Sequence, residues 1–346
     1  MDKVIISTDI CTTLPQIISE VPHDKLFLLC DETTYRLCFP LMKDFPCLSE
    51  AIHITISSTD THKNLETLTH VWAELGNGGT RHSLLVNLGG GMVTDLGGFA
   101  ASTFKRGIQY INIPTTLLSM VDASVGGKTG INFNGLKNEI GVFSQPHAVI
   151  IDTEFLRTLD TENILSGYAE MLKHGLISTP ENYAELLNFD LYNIDYKHLA
   201  DMVGISVAVK KRIVEEDPLE HGIRKALNLG HTAGHAFESW ALSRKPVLHG
   251  YAVAWGLICE LYLACTKTNF PTTVMRQTVR FIKENYGTLP ITCDDYPELY
   301  QLMTHDKKNT ASTINFTLLG SIGDIRINQT ATKDEIYEML DFYREG

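Results

Sequence analysis

The sequence has no long apolar run, no paired cysteine motif and no excess of basic residues. None of its uninterrupted apolar segments approaches the roughly 18 to 20 residues that a membrane-spanning helix needs. The seven cysteines, at positions 11, 30, 38, 47, 259, 265 and 293, form no CxxC pair and no metal-ligand spacing. The first residues contain neither a basic segment with an apolar core nor a small-residue cleavage site. No signal peptide is therefore predicted, and a cytoplasmic location is expected.

The charge balance is acidic, with a formal net charge of −12 at pH 7. Nucleic-acid backbones are bound by an excess of Lys and Arg, so a nucleic-acid partner is not expected. Hydrophobic residues make up 44% of the 346 residues and charged residues 20%, which is typical of a globular protein with two domains. In such an acidic chain, motifs that concentrate Lys and Arg indicate an anionic ligand.

The first half of the chain alternates strand-like and helix-like segments. Four short apolar runs are predicted as strands: Lys25–Cys30, Ser83–Leu88, Gln109–Ile113 and Ala148–Ile151. Helical patterns lie between them, as at His62–Gly76 and Met92–Phe104. This alternation predicts parallel strands joined by crossover helices, in a Rossmann-like α/β domain that covers residues 1–158.

The second half is mainly helical and is predicted as a separate domain, residues 159–346. Apolar residues recur at spacings of three and four, which predicts helices near 162–178, 197–216, 229–243, 250–269, 271–286 and 332–344. A turn at Gly320–Gly323 predicts one hairpin, from Thr313–Leu319 and Asp324–Asn328. An active site is expected in the cleft between the two domains.

A glycine-rich segment, Gly89–Gly91, follows the strand that ends at Leu88 and precedes a helix. This order is typical of phosphate binding, because the backbone can approach the anion and helix N–H groups point at it. A tight turn with close helix packing explains the glycines equally well. The dinucleotide fingerprint GxGxxG fails at Thr94, and Gly127-Lys128-Thr129 is not a P-loop because Asp122 stands at its first glycine.

Three histidines and one glutamate have the composition of a catalytic zinc site. His231 and His235 are four residues apart on a predicted helix, so they share one face, and His249 follows at the start of the next helix. Glu170 lies on another predicted helix. Two imidazoles and one carboxylate leave an open position for substrate on zinc, but the spacing does not decide which two histidines bind.

These motifs and others resemble those of the 3-dehydroquinate synthase family. The first half contains Gly89–Gly91 with Asp95, Phe104–Gly107, Pro114–Leu118 and Val121–Thr129. Lys137-Asn138 follows these, and the second half contains Gly167–Glu170 with Lys173, Gly222–His235, His249-Gly250 and Asp306–Lys308. Several of these motifs are long and independent, and they follow one another in the family's order.

The resemblance implies an NAD-binding first domain, a metal- and substrate-binding second domain, and a homodimer. It implies that Zn²⁺, or Co²⁺ in its place, is held by Glu170, His231 and His249, with His235 in the site but off the metal. It implies that NAD is held at Asp31, Asp60, Lys63, Gly90, Gly91, Met92, Asp95, Thr115, Thr116, Leu118, Lys137, Phe155 and Thr158.

The family's substrate, 3-deoxy-arabino-heptulosonate 7-phosphate, carries a phosphate at one end and a carboxylate at the other. The implied reaction gives 3-dehydroquinate and phosphate through transient oxidation by NAD, phosphate elimination, re-reduction and aldol closure. The implied substrate-binding residues are Lys137, Lys210, Arg224, Asn228, Lys307, Lys308 and, from the dimer partner, Arg106. The implied catalytic residues are Asp122, Lys128, Asn138, Lys173, Glu220 and His235. Converging basic groups repel one another and are stabilised by a dianion, which fits this substrate.

Three positions depart from the family's usual residues. Asp60 stands near the predicted NAD site where glutamate is usual, and Asn163 also replaces a common glutamate. Tyr251 stands where a glutamate usually follows the His-Gly of the third metal ligand. The tyrosine removes a charge next to the predicted metal, which can change the geometry around the ligands.

Three other interpretations share part of this pattern. A related sugar-phosphate cyclase would act on a heptulose phosphate without the carboxylate, but Arg224 and Asn228 favour an acid, because a buried arginine without an anion is costly. A metal-dependent polyol dehydrogenase would release NADH and would not need the basic residues. A catalytically inactive scaffold would not need an intact set of metal ligands.

Overall fold

The computed structural model describes residues 3–304 and 314–346. The chain forms two compact units. Unit 1 contains Met1–Asp160 and Tyr196–Val207, and unit 2 contains Thr161–Asp195 and Ala208–Gly346. Within the described residues, no helix has both the length and the apolar character needed to cross a bilayer.

A six-stranded parallel sheet forms the centre of unit 1. Its strands are β1 (Val4–Ser7), β2 (Leu26–Asp31), β3 (Ile52–Ile56), β4 (Leu84–Gly89), β5 (Gln109–Pro114) and β8 (Ala148–Asp152), while β6 (Lys128–Phe133) and β7 (Leu136–Phe143) form a separate antiparallel hairpin. The order across the sheet is β1-β8-β5-β4-β2-β3, and each neighbouring pair is parallel. The carboxyl ends of all six strands therefore lie along one edge.

The helices of unit 1 cover this sheet. They are α1 (Ile10–Ser19), α2 (Glu32–Leu37), α3 (Leu65–Gly76) and α4 (Gly91–Thr103). Side chains of α3 and α4 form one core cluster with residues of β2, β3 and β4. Every residue of β2, β4 and β8 is buried, which explains why these strands are continuous apolar runs. The fold matches the prediction for the first half of the chain.

Helix α3 begins three residues later than the sequence pattern indicated. The side chain of Asn64 accepts a hydrogen bond from the backbone N–H of Thr67 at 3.0 Å and so caps the helix at Leu65. The preceding residues, Asp60–His62, form a separate 3₁₀ turn. The helical pattern therefore spans two elements with a cap between them.

The hairpin of β6 and β7 was not predicted. Its two turn residues, Asn134 and Gly135, both have positive φ, 50° and 78°, as an Asn-Gly hairpin turn requires. The backbone N–H of Asn132 donates to the carbonyl of Lys63 at 2.7 Å, which fastens the hairpin to the segment before α3. This attachment positions Lys137 and Asn138, which lie on β7.

Unit 2 is mainly helical, as predicted. Its helices are α5 (Thr161–Leu176), α6 (Pro180–Asn188), α7 (Tyr196–Glu216, which begins in the range of unit 1), α8 (His231–Leu242), α9 (His249–Thr268), α10 (Thr272–Tyr286), α11 (Tyr296–Thr304) and α12 (Lys333–Glu345). Strands β9 (Asn315–Ser321) and β10 (Asp324–Thr330) form the predicted late hairpin.

Helices α8 and α9 approach each other at the level of their backbones. A Cβ on Gly256 would lie 2.0 Å from the carbonyl oxygen of Gly230, and one on Gly234 would lie 2.9 Å from that of Ala252. Only glycine allows contacts this short. The close approach brings the start of α9, with His249, to the face of α8 that carries the other two histidines.

Candidate metal and ligand sites

A carboxylate and two imidazoles converge inside unit 2. Oε1 of Glu170, on α5, lies 3.3 Å from Nε2 of His231 and 3.4 Å from Nε2 of His249. The ligand atoms of His231, His235 and His249 all lie within 4.8 Å of one another. The structure thus brings together the four residues that the sequence predicted for the metal centre.

Both imidazoles are oriented by a hydrogen bond at the opposite ring nitrogen. Nδ1 of His231 lies 3.0 Å from the carbonyl oxygen of Leu229, and Nδ1 of His249 lies 3.1 Å from Oε2 of Glu238. A carbonyl oxygen can only accept, so Nδ1 of His231 carries the proton and its Nε2 has a free lone pair. A partner of this kind on the second nitrogen is the usual arrangement around a metal-binding histidine.

The side chain of Glu170 passes a simple test for a metal ligand. It is fully buried; Oε2 contacts the ammonium of Lys173, but among the described residues Oε1 accepts no hydrogen bond. A buried carboxylate oxygen without a donor is costly unless a cation occupies the space before it. One carboxylate oxygen and two imidazole nitrogens are a donor set that suits Zn²⁺ or Co²⁺.

Burial and neighbouring charges shift the pKa values of these groups in different directions. Burial raises the pKa of Glu170, but Lys173 and His231 outweigh it and hold that pKa well below its usual value. Burial lowers the pKa of His231 to about 3, against the opposing charge of Glu170. Burial also acts to lower the pKa of His249, but Glu238 and Glu170 raise it to about 10. Glu170 is therefore ionised and His231 neutral, the forms that bind a metal, whereas His249 is protonated without a metal and would have to release a proton to bind one.

His235 lies beside His231 and His249. Its ring is edge-on to that of His231, with centroids 5.3 Å apart, and 5.8 Å from that of His249. Oε1 of Glu170 contacts the imidazoles of His231 and His249. The two contacts favour His231 and His249 as the histidines that share a metal with Glu170.

A loop before α8 carries three of the predicted site residues, Glu220, Arg224 and Asn228. The carboxylate of Asp217 accepts hydrogen bonds from the backbone N–H groups of His221, Gly222 and Arg224, at 3.0, 2.6 and 3.0 Å. Arg224 is 2% exposed, and its guanidinium donates to the carbonyl of Pro218.

The same loop joins Asn228 to Glu220. The amide of Asn228 donates to Oε1 of Glu220 at 3.1 Å, and Glu220 has a positive φ of 63°, an unusual backbone conformation for a residue with a side chain. Lys210 is buried on α7, and Lys307 and Lys308 lie outside the described residues.

Four segments predicted for NAD lie at one edge of the parallel sheet. They follow β2, β4, β5 and β8, which are adjacent strands, and contain Asp31, Gly90 to Met92, Thr115 to Leu118, and Phe155 to Thr158. Ligands of open parallel sheets bind at this edge. Gly90 is the N-cap of α4 and supplies no side-chain cap, so the start of this 13-residue helix presents its backbone N–H groups.

Local contacts fix Asp31 and Gly90 at this edge. Oδ1 of Asp31 accepts from the N–H groups of Thr33 and Thr34 and from the hydroxyl of Ser58, so all three bonds fall on one carboxylate oxygen. A Cβ on Gly90 would meet the side chain of Thr116 at 3.2 Å, so the glycine keeps this turn close to the end of β5.

Lys63 connects the predicted NAD residues to the β6–β7 hairpin. Its ammonium is almost fully buried, contacts Oδ2 of Asp95, and donates to Oδ1 of Asn138 at 2.5 Å. Lys137 lies 3.7 Å from the carboxylate of Asp60. Burial raises the pKa of Asp95, although Lys63 opposes this shift. The structure thus joins five of the predicted residues within unit 1.

The remaining predicted residues of unit 1 occupy turns. Asp122 lies in a π-helical turn, Ser119–Ala123, and Lys128 begins β6 after two glycines with positive φ. Lys105 and Arg106 have φ of 49° and 71°, two consecutive left-handed residues that are not glycine. Two such residues in succession are an uncommon and strained backbone conformation.

Sequence reasoning did not identify several residues that support the site. Glu238 lies on the same face of α8 as His231 and His235, so a spacing of i, i+4, i+7 was available as a signal. Glu260 is the only charged residue in the stretch Gly250–Ala264, and a lone charge in an apolar helix requires a buried partner. Asp217 gave no signal, because its partners are backbone groups.

Two family models match consecutive parts of the chain. The model described as 3-dehydroquinate synthase N-terminal matches residues 53–166, and the one described as 3-dehydroquinate synthase C-terminal matches residues 167–309. The 3-dehydroquinate synthase of Parabacteroides distasonis is 57% identical over 346 residues, which are 99% of this chain and 98% of that relative.

Solved structures share the fold at lower identity. A 2-deoxy-scyllo-inosose synthase, complexed with carbaglucose-6-phosphate, NAD⁺ and Co²⁺, has a TM-score of 0.87 at 22% identity and covers 99% of this chain and 96% of its own. The 2-epi-5-epi-valiolone synthase of Streptomyces hygroscopicus, with NAD⁺ and Zn²⁺ bound, has a TM-score of 0.85 at 24% identity. The match covers 100% of this chain and 97% of the synthase. These likenesses confirm the predicted fold.

Proposed function

The chain belongs to the 3-dehydroquinate synthase family, and we propose that it converts 3-deoxy-arabino-heptulosonate 7-phosphate to 3-dehydroquinate and phosphate with a divalent metal and NAD bound. The observation that carries the proposal is the convergence of Glu170 Oε1 with Nε2 of His231 and of His249. We also propose that the enzyme works as a cytoplasmic homodimer.

Glu170, His231 and His249 would hold Zn²⁺ or Co²⁺. The two solved relatives of the same fold contain one or the other of these metals together with NAD⁺. Bound here, the metal would polarise a substrate hydroxyl and lower its pKa, and NAD would take a hydride from the carbon and later return it. Lys173 neutralises the second oxygen of Glu170, which keeps Oε1 directed at the metal.

The sheet edge of unit 1 would hold NAD. The uncapped start of α4 at Gly90 and Gly91 would bind the pyrophosphate through backbone N–H groups. The other carboxylate oxygen of Asp31 would accept from a ribose hydroxyl. The pair of Lys63 and Asp95 would also contact NAD. The other predicted contacts are Asp60, Met92, Thr115, Thr116, Leu118, Lys137, Phe155 and Thr158.

The basic and amide side chains would hold the two ends of the substrate. We assign the carboxylate end to Lys210, Arg224 and Asn228, with Glu220 orienting Asn228 through their hydrogen bond. We assign the phosphate end to Lys128, Asn138 and His235, with Arg106 of the second protomer. Asp122 would orient neighbouring groups, and Lys307 and Lys308 would add charge. Hydrogen bonds that strengthen as charge moves to the leaving phosphate would favour the elimination.

One assay tests the reaction. The purified, metal-loaded protein is given NAD and 3-deoxy-arabino-heptulosonate 7-phosphate, and phosphate release is measured while absorbance is followed at the NADH band. We expect phosphate without lasting NADH, because the hydride returns within each turnover. NADH that accumulates in proportion to substrate would indicate a dehydrogenase instead. No product with this substrate but phosphate from sedoheptulose 7-phosphate would indicate a related cyclase.

A further inference from the structure

Helix α8 begins without a capping side chain of its own. Its N-cap is Gly230, which has a φ of 79° and carries no side chain that could accept from the first turn. The N–H groups at the start of a helix have no partner within the helix, and a buried helix start needs an acceptor from elsewhere. The first residue of this helix is His231, one of the two imidazoles that face Glu170.

Glu260, on α9, supplies the missing acceptor. Oε2 of Glu260 accepts from the N–H of Gly230 at 2.7 Å, and Oε1 accepts from those of Thr232 and Ala233, at 2.9 and 3.2 Å. The residues are 27 to 30 positions apart in the chain. One carboxylate thus binds backbone groups on both sides of His231.

The carboxylate of Glu260 is fully buried. A buried carboxylate is stable only where donors and positive charge surround it, and a helix start offers both through its N–H groups and its dipole. An ordinary Ser or Asp at the N-cap would satisfy the same N–H groups, but it would not join α8 to α9. Because the acceptor lies on α9, the same hydrogen bonds also link α9 to the start of α8.

The two helices are linked reciprocally. Glu238 of α8 binds His249, the first residue of α9, while Glu260 of α9 accepts from backbone N–H groups on both sides of the first residue of α8. Each helix therefore fixes the start of the other, and both starts are histidines that face Glu170. Between the two links, Gly256 of α9 lies against Gly230 and Gly234 of α8.

We propose that Glu260 is a positioning residue of the metal centre, which holds the backbone of His231 so that its Nε2 stays directed at the metal. This inference rests on the proposed metal site. Glu260 does not touch the metal or the substrate itself. When a residue that holds a metal ligand in place is changed, the metal affinity of the site typically falls tenfold to 100-fold.

The test measures Co²⁺ binding to the apo form of the full chain. Glu260→Gln keeps the size of the side chain but places an amide NH₂ against backbone donors. Glu260→Asp keeps the charge and withdraws it by one methylene. Co²⁺ affinity is measured by competition with a chelator, and the d–d absorption spectrum reports the geometry of the ligands. Thr332→Ala is the matched control, because Thr332 caps α12 through a bond to Glu335 N at 3.2 Å.

We expect Glu260→Gln to bind Co²⁺ about tenfold more weakly or worse, with an altered spectrum, and Glu260→Asp to lie between it and the parent. Thr332→Ala should lose thermal stability and keep parental affinity and spectrum. Parental binding and spectrum in Glu260→Gln, or in Glu260→Asp if the first variant does not fold, would reject the role of Glu260. Failure of the parent itself to bind Co²⁺ would instead reject the metal site.

Discussion

Nδ1 of His249 lies 3.1 Å from Oε2 of Glu238, so the first residue of α9 is held by a carboxylate of α8. The contact fixes the imidazole with Nε2 towards Glu170, 3.4 Å away. The same carboxylate stabilises the N–H of the ring and makes its other nitrogen a better electron donor. His249 therefore depends on Glu238 both for its direction and for its strength as a ligand.

The first prediction concerns this partner. Glu238→Gln should lower the affinity for Zn²⁺ about tenfold to 100-fold, because the charge that orients His249 is lost while the volume is kept. A chelator competition measures the affinity. Glu298→Gln is the control, since Glu298 pairs with Arg244 at the surface and should leave metal binding unchanged. Equal affinity in both variants would show that Glu238 does not support the ligand.

The second prediction separates the three histidines. His249→Ala and His231→Ala should abolish retention of the metal, because each removes a nitrogen that faces Glu170. His235→Ala should keep the metal and lose on the order of 100-fold in rate, as expected when one group that stabilises developing charge is removed. Metal analysis of the purified variants, followed by the phosphate assay, tests both statements. Equal loss of metal from all three would mean that the assignment of ligands is wrong.

The third prediction uses the buried ion pair of Lys63 and Asp95. Lys63→Met removes the ammonium that lowers the pKa of Asp95, so that pKa should rise further above its ordinary value. An acid with a raised pKa in the folded state binds more protons there than when unfolded. Stability therefore falls as the pH rises through the interval between the two pKa values.

At neutral pH we expect the free energy of unfolding of the Lys63→Met variant to be about 1–3 kcal/mol below that of the parent. The difference should shrink towards roughly pH 4, where Asp95 is protonated in the variant. Urea unfolding at several pH values measures it. The double variant Lys63→Met with Asp95→Asn should remove the difference in pH dependence. A loss of equal size at every pH would assign the effect to packing rather than to the charge of Asp95.

Most of the fold was predictable because its elements repeat a regular pattern. The strands that end at Leu88 and Ile113 and the helix that begins near His249 are continuous or periodic in apolar residues, and the structure confirms them within two residues. The hairpin of β6 and β7 was missed because β7 is exposed along its whole length and shows no apolar alternation against a core. Its signal was local, the Asn134-Gly135 turn.

The site was predictable only in part. His231, His235, His249 and Glu170 were found from their residue types and predicted helices, and the resemblance to a known family indicated which two histidines bind. Glu260 and Asp217 act on backbone N–H groups, which every sequence has, so no residue pattern marks their partners. Their contacts depend on how closely α8 and α9 pack and on how the loop after α7 turns.

The last prediction concerns that close packing. Gly256→Ala would place a Cβ 2.0 Å from the carbonyl oxygen of Gly230 and 2.7 Å from the N–H nitrogen of Gly234, so α8 and α9 would have to separate. Overpacking of this kind costs about 1–3 kcal/mol or more. The separation would also pull the start of α8, and His231 with it, away from Glu170. We therefore expect both lower stability and weaker Co²⁺ binding.

Gly204→Ala is the matched control for this change. Gly204 lies within α7, and a Cβ there would meet no atom within 4 Å. Since alanine restricts the unfolded chain more than glycine does, this variant should gain about 0.5–1 kcal/mol and bind Co²⁺ as the parent does. Urea unfolding and Co²⁺ titration compare the two. If Gly256→Ala matched Gly204→Ala in stability and in Co²⁺ affinity, backbone contact between α8 and α9 would not be what holds His231 in place.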